Sequence, residues 1–192
     1  MRRALVASGL ALAGLLLAGC TLVPTASAPE VISPKTVHFG LLGKTIPGTI
    51  NGHVTFITQP VYIVDATGHL SPSSRIVPTP PTLASVLQEL TLGPTPIEAA
   101  TGFTSALPRS LVIVQAVVRQ HVGYIDLATP LSTLSRRRAL LATGQLALTA
   151  AHVGATRGIE ITVAGVVQHS PLPSGGSAEV VTASDYTSLL NS

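Results

Sequence analysis

The chain predicts an α+β fold, a mixed, mainly antiparallel sheet with two main helices packed on one face, on three observations. Dense β-prone runs at residues 61–64, 110–119 and 122–127 read as strands. Two sets of apolar and small residues recur at helical spacing: Leu83, Val86, Leu87 and Leu90, then Leu140, Leu141, Gly144, Ala147, Leu148 and Ala151. Glycine and proline separate these segments, and the mixture of strand and helix points to helices laid on a sheet. The expected organisation is a cleaved signal segment over residues 1–19, an acylated cysteine and Pro/Ser/Thr/Gly-rich tether over 20–53, and one folded domain over 54–192.

The first element stands outside that fold. Met1-Arg2-Arg3, an apolar and small-residue run from Ala4 to Leu17, and then Leu17-Ala18-Gly19-Cys20 have the layout of a bacterial lipoprotein signal peptide. The run is shorter than the about 20 apolar residues of a comfortable membrane-spanning helix. Small Ala18 and Gly19 suit cleavage ahead of Cys20, which then becomes the lipidated N-terminus. Two or three acyl chains, at about 0.8 kcal/mol per buried CH₂, hold a protein on a bilayer where one chain would not. The expected location is therefore the extracytoplasmic face of the cell membrane. The tether that follows holds no period for long, and only Val37-His38-Phe39 alternates in the manner of a short edge strand.

Within the domain, residues 61–64 have no polar face, as in a strand covered on both sides, and Ala66-Thr67-Gly68 is its turn. Asp65 caps the strand end. A second short β-prone piece surrounds Arg75-Ile76-Val77, and Thr79-Pro80-Pro81 reads as a helix start, with proline in the first turn. The stripe from Leu83 to Leu90 follows, Ser85, Gln88 and Glu89 face away, and Gly93-Pro94 stops the helix, with Gly93 left-handed. A short helix is expected at residues 97–100. The runs at 110–119 and 122–127 form a hairpin through Gln120 and His121, with Tyr124 and Asp126 on one face and Gly123, Ile125 and Leu127 on the other. Residues 135–153 form the longest helix, ended by Gly154; Ile159, Ile161 and Val163 make the last clear strand, and residues 170–177 a hairpin or loop.

These residues carry a more specific pattern. Val61-Tyr62-Ile63-Val64-Asp65, Leu70, Arg75, Leu87 and Leu90, Gly93-Pro94-Thr95, Glu98, and Gly102-Phe103-Thr104-Ser105-Ala106-Leu107-Pro108 come in an order that resembles the GerMN domain of sporulation and spore germination. Ile125-Asp126-Leu127 is similar to that family's Val-Asp-Leu strand, Gln145-Leu146-Ala147-Leu148-Thr149 to its second helix, Val163-Ala164-Gly165 to its closing strand, and Thr182 with Asp185-Tyr186 to its C-terminal signature. Ala164 departs from the pattern, where the family commonly has an acidic residue before glycine. The resemblance implies an envelope-assembly or ring-building module rather than an enzyme, in a family with many lipoproteins.

Composition narrows the chemistry independently. Cys20 is the only cysteine, so its lipidation leaves no disulfide, thiolate nucleophile or cysteine-ligated metal. Without Arg2 and Arg3 the formal charge of +3 falls to 9 basic against 8 acidic residues. With no Trp and 3% aromatic residues, neither the charge nor the stacking surface of a nucleic-acid binder is present. The serines lie in no Gly-x-Ser-x-Gly or Ser-x-x-Lys motif, and the six histidines have no ligand-like spacing. No cofactor, metal or catalytic residue is expected. Glu89 and Glu98 flank the Gly-Pro-Thr loop in the manner of a glycosidase carboxylate pair, but their places on a solvent face and at a helix start explain them without catalysis.

The sharpest polar feature is Arg136-Arg137-Arg138, three cations set against the dipole at the start of a helix, and these form the candidate binding patch for an anionic partner. The favoured reading is a lipid-anchored envelope protein, held in the bilayer through Cys20, whose domain binds an envelope protein or wall polymer without catalysis. A peptidoglycan-acting hydrolase is the alternative, and a small-ligand carrier the third.

Overall fold

A computed structural model describes residues 54–191. The signal segment, Cys20, the tether and the strand expected near Val37-His38-Phe39 lie outside the described residues. Strand β1 (Phe56–Val64) pairs antiparallel with β2 (Leu70–Pro78), in register from Phe56 opposite Pro78 to Val64 opposite Leu70. The Asp65 carboxylate organises the turn between them. It accepts from the Thr67 N–H (2.9 Å) and hydroxyl (2.6 Å), the His69 N–H (3.1 Å) and the Ser71 hydroxyl (2.8 Å). β2 is longer than the three residues its apolar pattern marks, because Pro72 and several serines interrupt that pattern without interrupting the pairing. Tyr62 directs its N–H and C=O outward from the ladder. Pro60 and Pro72 are in phase with it, so their missing N–H groups cost no ladder bond.

Helix α1 (Leu83–Thr91) buries Leu83, Val86, Leu87 and Leu90 as its stripe requires. Its start is one turn later than the prolines imply. Thr82 and Ser85 form a reciprocal capping box, so the helix begins on a side-chain cap and Pro80 and Pro81 stay ahead of it. Gly93 takes φ +76° at the end of this helix, the left-handed conformation expected of it. Helix α2 (Pro96–Ala100) is capped in the same way by Thr95 and Glu98.

β3 (Ile113–Arg119) and β4 (Val122–Leu127) form the expected hairpin. Gln120 and His121 sit at φ +49° and +65°, as a two-residue hairpin turn that matches strand twist demands. β3 starts three residues later than the apolar run, with a register shift between Ile113 and Gln115 that leaves Val112 and Val114 exposed. Helix α3 (Arg136–Ala151) is the crossover that lets β5 (Ile159–Val163) lie parallel to β4. β6 (Val166–Val167) turns back on β5 through Ala164 and Gly165, and β9 (Val180–Val181) also pairs with β5. β7 (Ser170–Pro171) and β8 (Ser177–Ala178) make a small hairpin, and a 3-10 segment, Ala183–Leu189, closes the described chain. The mixed α+β class and mainly antiparallel pairing are as expected, with the strands distributed over three sheets.

α3 is buried differently from an amphipathic stripe. Leu140 and Leu141 are only half-buried, whereas every residue from Ala142 to Ala150 is buried. Small Ala, Gly and Thr side chains allow that depth: a Cβ on Gly144 would lie 2.8 Å from Leu70 Cδ1 and 3.2 Å from the Tyr186 ring. The helix also covers the free edge of β1. Thr149 Oγ1 accepts from the Tyr62 N–H (3.0 Å), and Gln145 donates Nε2 to the Tyr62 carbonyl (2.8 Å) while its Oε1 accepts from the Ala106 N–H (2.8 Å). Gln145 and Thr149 are thus satisfied although fully buried, and an edge that would otherwise invite another strand is closed.

Candidate functional site

The carboxylates of the domain are largely engaged in holding it together. Arg75, on β2, is 8% exposed and reaches across to α2, where Nη1 and Nη2 donate to Glu98 Oε1 (3.1 Å) and Oε2 (2.8 Å). The same guanidinium donates to the Gly93 carbonyl (3.0 Å), which lies at the end of α1, so one side chain joins a strand and two helix ends. Glu98 also accepts from the Ser73 hydroxyl and from the Thr95 N–H (2.6 Å). Partial burial works to raise the Glu98 carboxyl; the hydrogen bonds from Arg75, Ser73 and Thr95 outweigh it and lower it to about 2. The Thr67 hydroxyl leads the bonds that hold Asp65 well below the ordinary carboxylate range, against some desolvation. Asp126 accepts from the Thr162 hydroxyl (2.6 Å) and the Gly165 N–H (3.3 Å), and Asp185 caps the final 3-10 segment through Thr182. Glu89 stays on α1, and Glu98 turns to Arg75 instead of to it.

The four described histidines are dispersed in space as well as in sequence. His69 and His121 lie in hairpin turns, His152 stacks on Tyr62 with ring centroids 5.7 Å apart, and His169 approaches Glu179 at 3.8 Å on the surface. Among the described residues no three His, Cys, Asp or Glu side chains gather in a metal-binding arrangement.

Arg136, Arg137 and Arg138 open α3 behind Ser135, which forms no side-chain cap, and the first turn holds no acidic residue. Their side chains diverge. Arg138 Nε donates to the Ala106 carbonyl (2.8 Å), Arg137 lies against the turn at Gly68, and exposed Arg136 reaches the Leu172 carbonyl only at 3.5 Å. Arg137 and Arg138 line a shallow groove of about 220 Å³ with Val64 and Ser105. Arg136 instead borders a hollow of about 450 Å³ between the start of α3, Leu131, Ile161 and the β7–β8 hairpin. Thr143, two turns along α3, is on its wall and keeps a fully buried hydroxyl with no hydrogen-bond partner. Tyr186, whose hydroxyl burial pushes up beyond its usual range, donates to the Pro171 carbonyl at 2.7 Å. The hollow has no periodic signature, because its wall combines helix, strand and hairpin.

Comparison with known proteins places this architecture. No curated protein matches the chain. Two solved structures from Bacillus subtilis share the fold: the first GerMN domain of the sporulation protein GerM, at 13% identity and a TM-score of 0.51 over 67% of this chain and 98% of that one, and the tandem GerMN domains of the same protein, at 14% identity and 0.53 over 68% of this chain. This chain spans about half, 48%, of the tandem structure. The sequence profile of the Germane family, described as sporulation and spore germination, matches residues 60–168, from the middle of β1 to just past β6. The chain belongs to the Germane family.

Proposed function

We propose that this protein is a membrane-anchored lipoprotein of the cell envelope, and that its Germane domain is a non-catalytic module binding another envelope protein or a wall component. The observation that carries the reading is the engagement of the carboxylates. Asp65, Glu98, Asp126 and Asp185 each accept at least two hydrogen bonds from their own fold. Glu98, held near 2, is far from the proton affinity that general acid–base work near neutral pH requires. Anchoring is supported by Leu17-Ala18-Gly19-Cys20, and no helix among the described residues is long and apolar enough to cross a membrane. Arg136, Arg137 and Arg138 form the first surface to test for an anionic partner.

Metabolic labelling with a fatty-acid analogue tests the anchor: Cys20→Ala loses the label and leaves the membrane fraction, and equal labelling of the variant would refute lipidation. Glu89→Gln and Glu160→Gln test the absence of catalysis. Each keeps any cellular phenotype of the wild type, whereas loss of function in a variant as stable as wild type would favour a hydrolase. Changing the three arginines to Gln weakens a salt-sensitive association.

A further inference from the structure

The β1–β2 ribbon has two faces of different character. Its inward positions, Val61, Ile63, Arg75 and Val77, are buried, and α3 closes the free edge of β1. The solvated face of an antiparallel ribbon normally carries polar side chains. Here every outward position, alternate residues from Phe56 to Tyr62 on β1 and from Pro72 to Pro78 on β2, is uncharged. At the open end of the ribbon the outward side chains are large and apolar. Phe56 stands opposite Pro78 and Thr58 opposite Ile76, so Phe56 and Ile76 are diagonal neighbours on one face, within reach of an aromatic ring. Phe56 is 63% exposed, Ile76 68% and adjoining Val54 60%. This is also the end at which the residues following Cys20 enter the domain. The Thr55 carbonyl accepts from the Thr79 N–H (2.8 Å), which fixes that entry against the end of β2.

We propose that the open end of the ribbon, Phe56 and Ile76 with Val54, docks into the membrane leaflet that holds the acyl chains of Cys20. The inference rests on acylation of Cys20 and adds to it a contact made by the folded domain. Residues 21–53 separate Cys20 from this end of the ribbon, a reach of at most about 120 Å. An anchor within that reach makes docking intramolecular, so a small patch with little affinity of its own is sufficient. A second copy of the chain would need about 800 Å² per partner for a standard interface, more than three side chains offer. A wall polymer is strongly hydrated and calls for hydrogen bonds and charge, which phenylalanine, isoleucine and proline do not supply. The lack of a carboxylate on this face also removes repulsion from anionic headgroups. Strands of nine residues make the ribbon about 30 Å long, so a domain standing on its open end carries Gly68 and Arg137, at the opposite turn, away from the headgroups.

The chain has no Trp, so Phe56→Trp gives a single indole at the patch. The acylated full chain carrying it is placed in vesicles of phosphatidylcholine and phosphatidylglycerol, with and without bromine on the acyl chains, and flotation reports the anchor separately. The expected emission is blue-shifted and quenched by the bromines. Val114→Trp, at an exposed position on β3, keeps water-like emission and escapes quenching. Adding Ile76→Thr to Phe56→Trp keeps a β-branched residue in the strand and lowers the docking equilibrium, read from the quenched fraction, about 10-fold. Thermal melts establish that each variant is folded. Water-like, unquenched emission from a Phe56→Trp protein that still floats would overturn the proposal and leave the anchor standing; a protein that neither floats nor is quenched would remove both. Blue-shifted emission that bromine does not quench would mean that protein covers the patch, and equal quenching of the Phe56→Trp and Val114→Trp proteins that the domain lies on the bilayer without orientation. Either result would overturn the proposal.

Discussion

The corner where β2 meets α1 and α2, and the hollow at the start of α3, are built on opposite terms. In the corner, Arg75 is enclosed and both terminal nitrogens of its guanidinium end on acceptors: Glu98, Ser73, the Ser74 carbonyl and the Gly93 carbonyl. At α3, three arginines crowd an uncapped helix start without an acidic neighbour in the turn, and a buried hydroxyl has no partner. An arginine's contribution to the fold therefore depends on the acceptors its surroundings bring to it, a carboxylate among them, and not on its own charge alone. The difference also separates structure from function. Polar groups already saturated by the fold have nothing left to offer a partner, and those at α3 do.

Breaking the corner gives the largest expected effect. Arg75→Ala leaves Glu98 and the Gly93 carbonyl without their donor and costs about 3 kcal/mol, the low end for loss of one partner of a buried pair because Glu98 keeps some solvent contact. Urea denaturation measures it; a loss below about 0.5 kcal/mol, the scale of exposed pairs, would put this pair among the surface ones.

Gly93→Val comes next, at about 1–2 kcal/mol by thermal or urea unfolding. The nearest atom to a new Cβ is 3.9 Å away, so the cost comes from φ +76° and not from a clash. Comparable in size is the response to acid. Glu98 has its folded value depressed from 4.5 to about 2, so its stabilisation is fully present above about pH 4.5 and is lost as pH falls towards 2. The shift corresponds to about 3 kcal/mol, and screening at the solvent-facing edge reduces the expected loss to about 1–2 kcal/mol. Unfolding of wild type and Glu98→Gln across that window measures it, the variant showing the smaller dependence.

Much of the corner was legible in the sequence, and little of the hollow was. The α1 stripe, the Gly93 stop and the cap at Glu98 are local signals, each decided within a few residues of chain. Arg75 lies 23 residues from Glu98, and no local pattern distinguishes it from an exposed strand arginine. The depth of α3 was hidden for a related reason: Gln145 and Thr149 are polar, and the partners that let them be buried, the Tyr62 backbone on the free edge of β1 and the Ala106 N–H, lie far away in the chain. The hollow combines Arg136, Ile161 and Ser177 from separate elements, so no spacing announces it.

Thr143→Val sharpens the comparison with an effect of opposite sign. The replacement keeps the β-branched shape and removes a buried hydroxyl with no partner, so stability rises by about 1 kcal/mol. A loss instead would mean that the hydroxyl is bonded in solution, and the hollow would no longer differ from the corner in this respect.

The smallest effect isolates charge from enclosure. Arg137→Gln removes one of three cations at the uncapped start of α3, where the dipole opposes positive charge and the other two arginines repel it. The side chain is exposed, and among the described residues it forms no salt bridge. The expected outcome is a gain of about 0.3 kcal/mol at low ionic strength that fades as salt is added, because the Debye length contracts to about 8 Å at 0.15 M. Paired unfolding curves of the variant and wild type at low and high salt resolve it. A destabilisation of 1 kcal/mol or more, independent of salt, would show Arg137 to be held by acceptors as Arg75 is, and the start of α3 would then be structural rather than free to meet a partner.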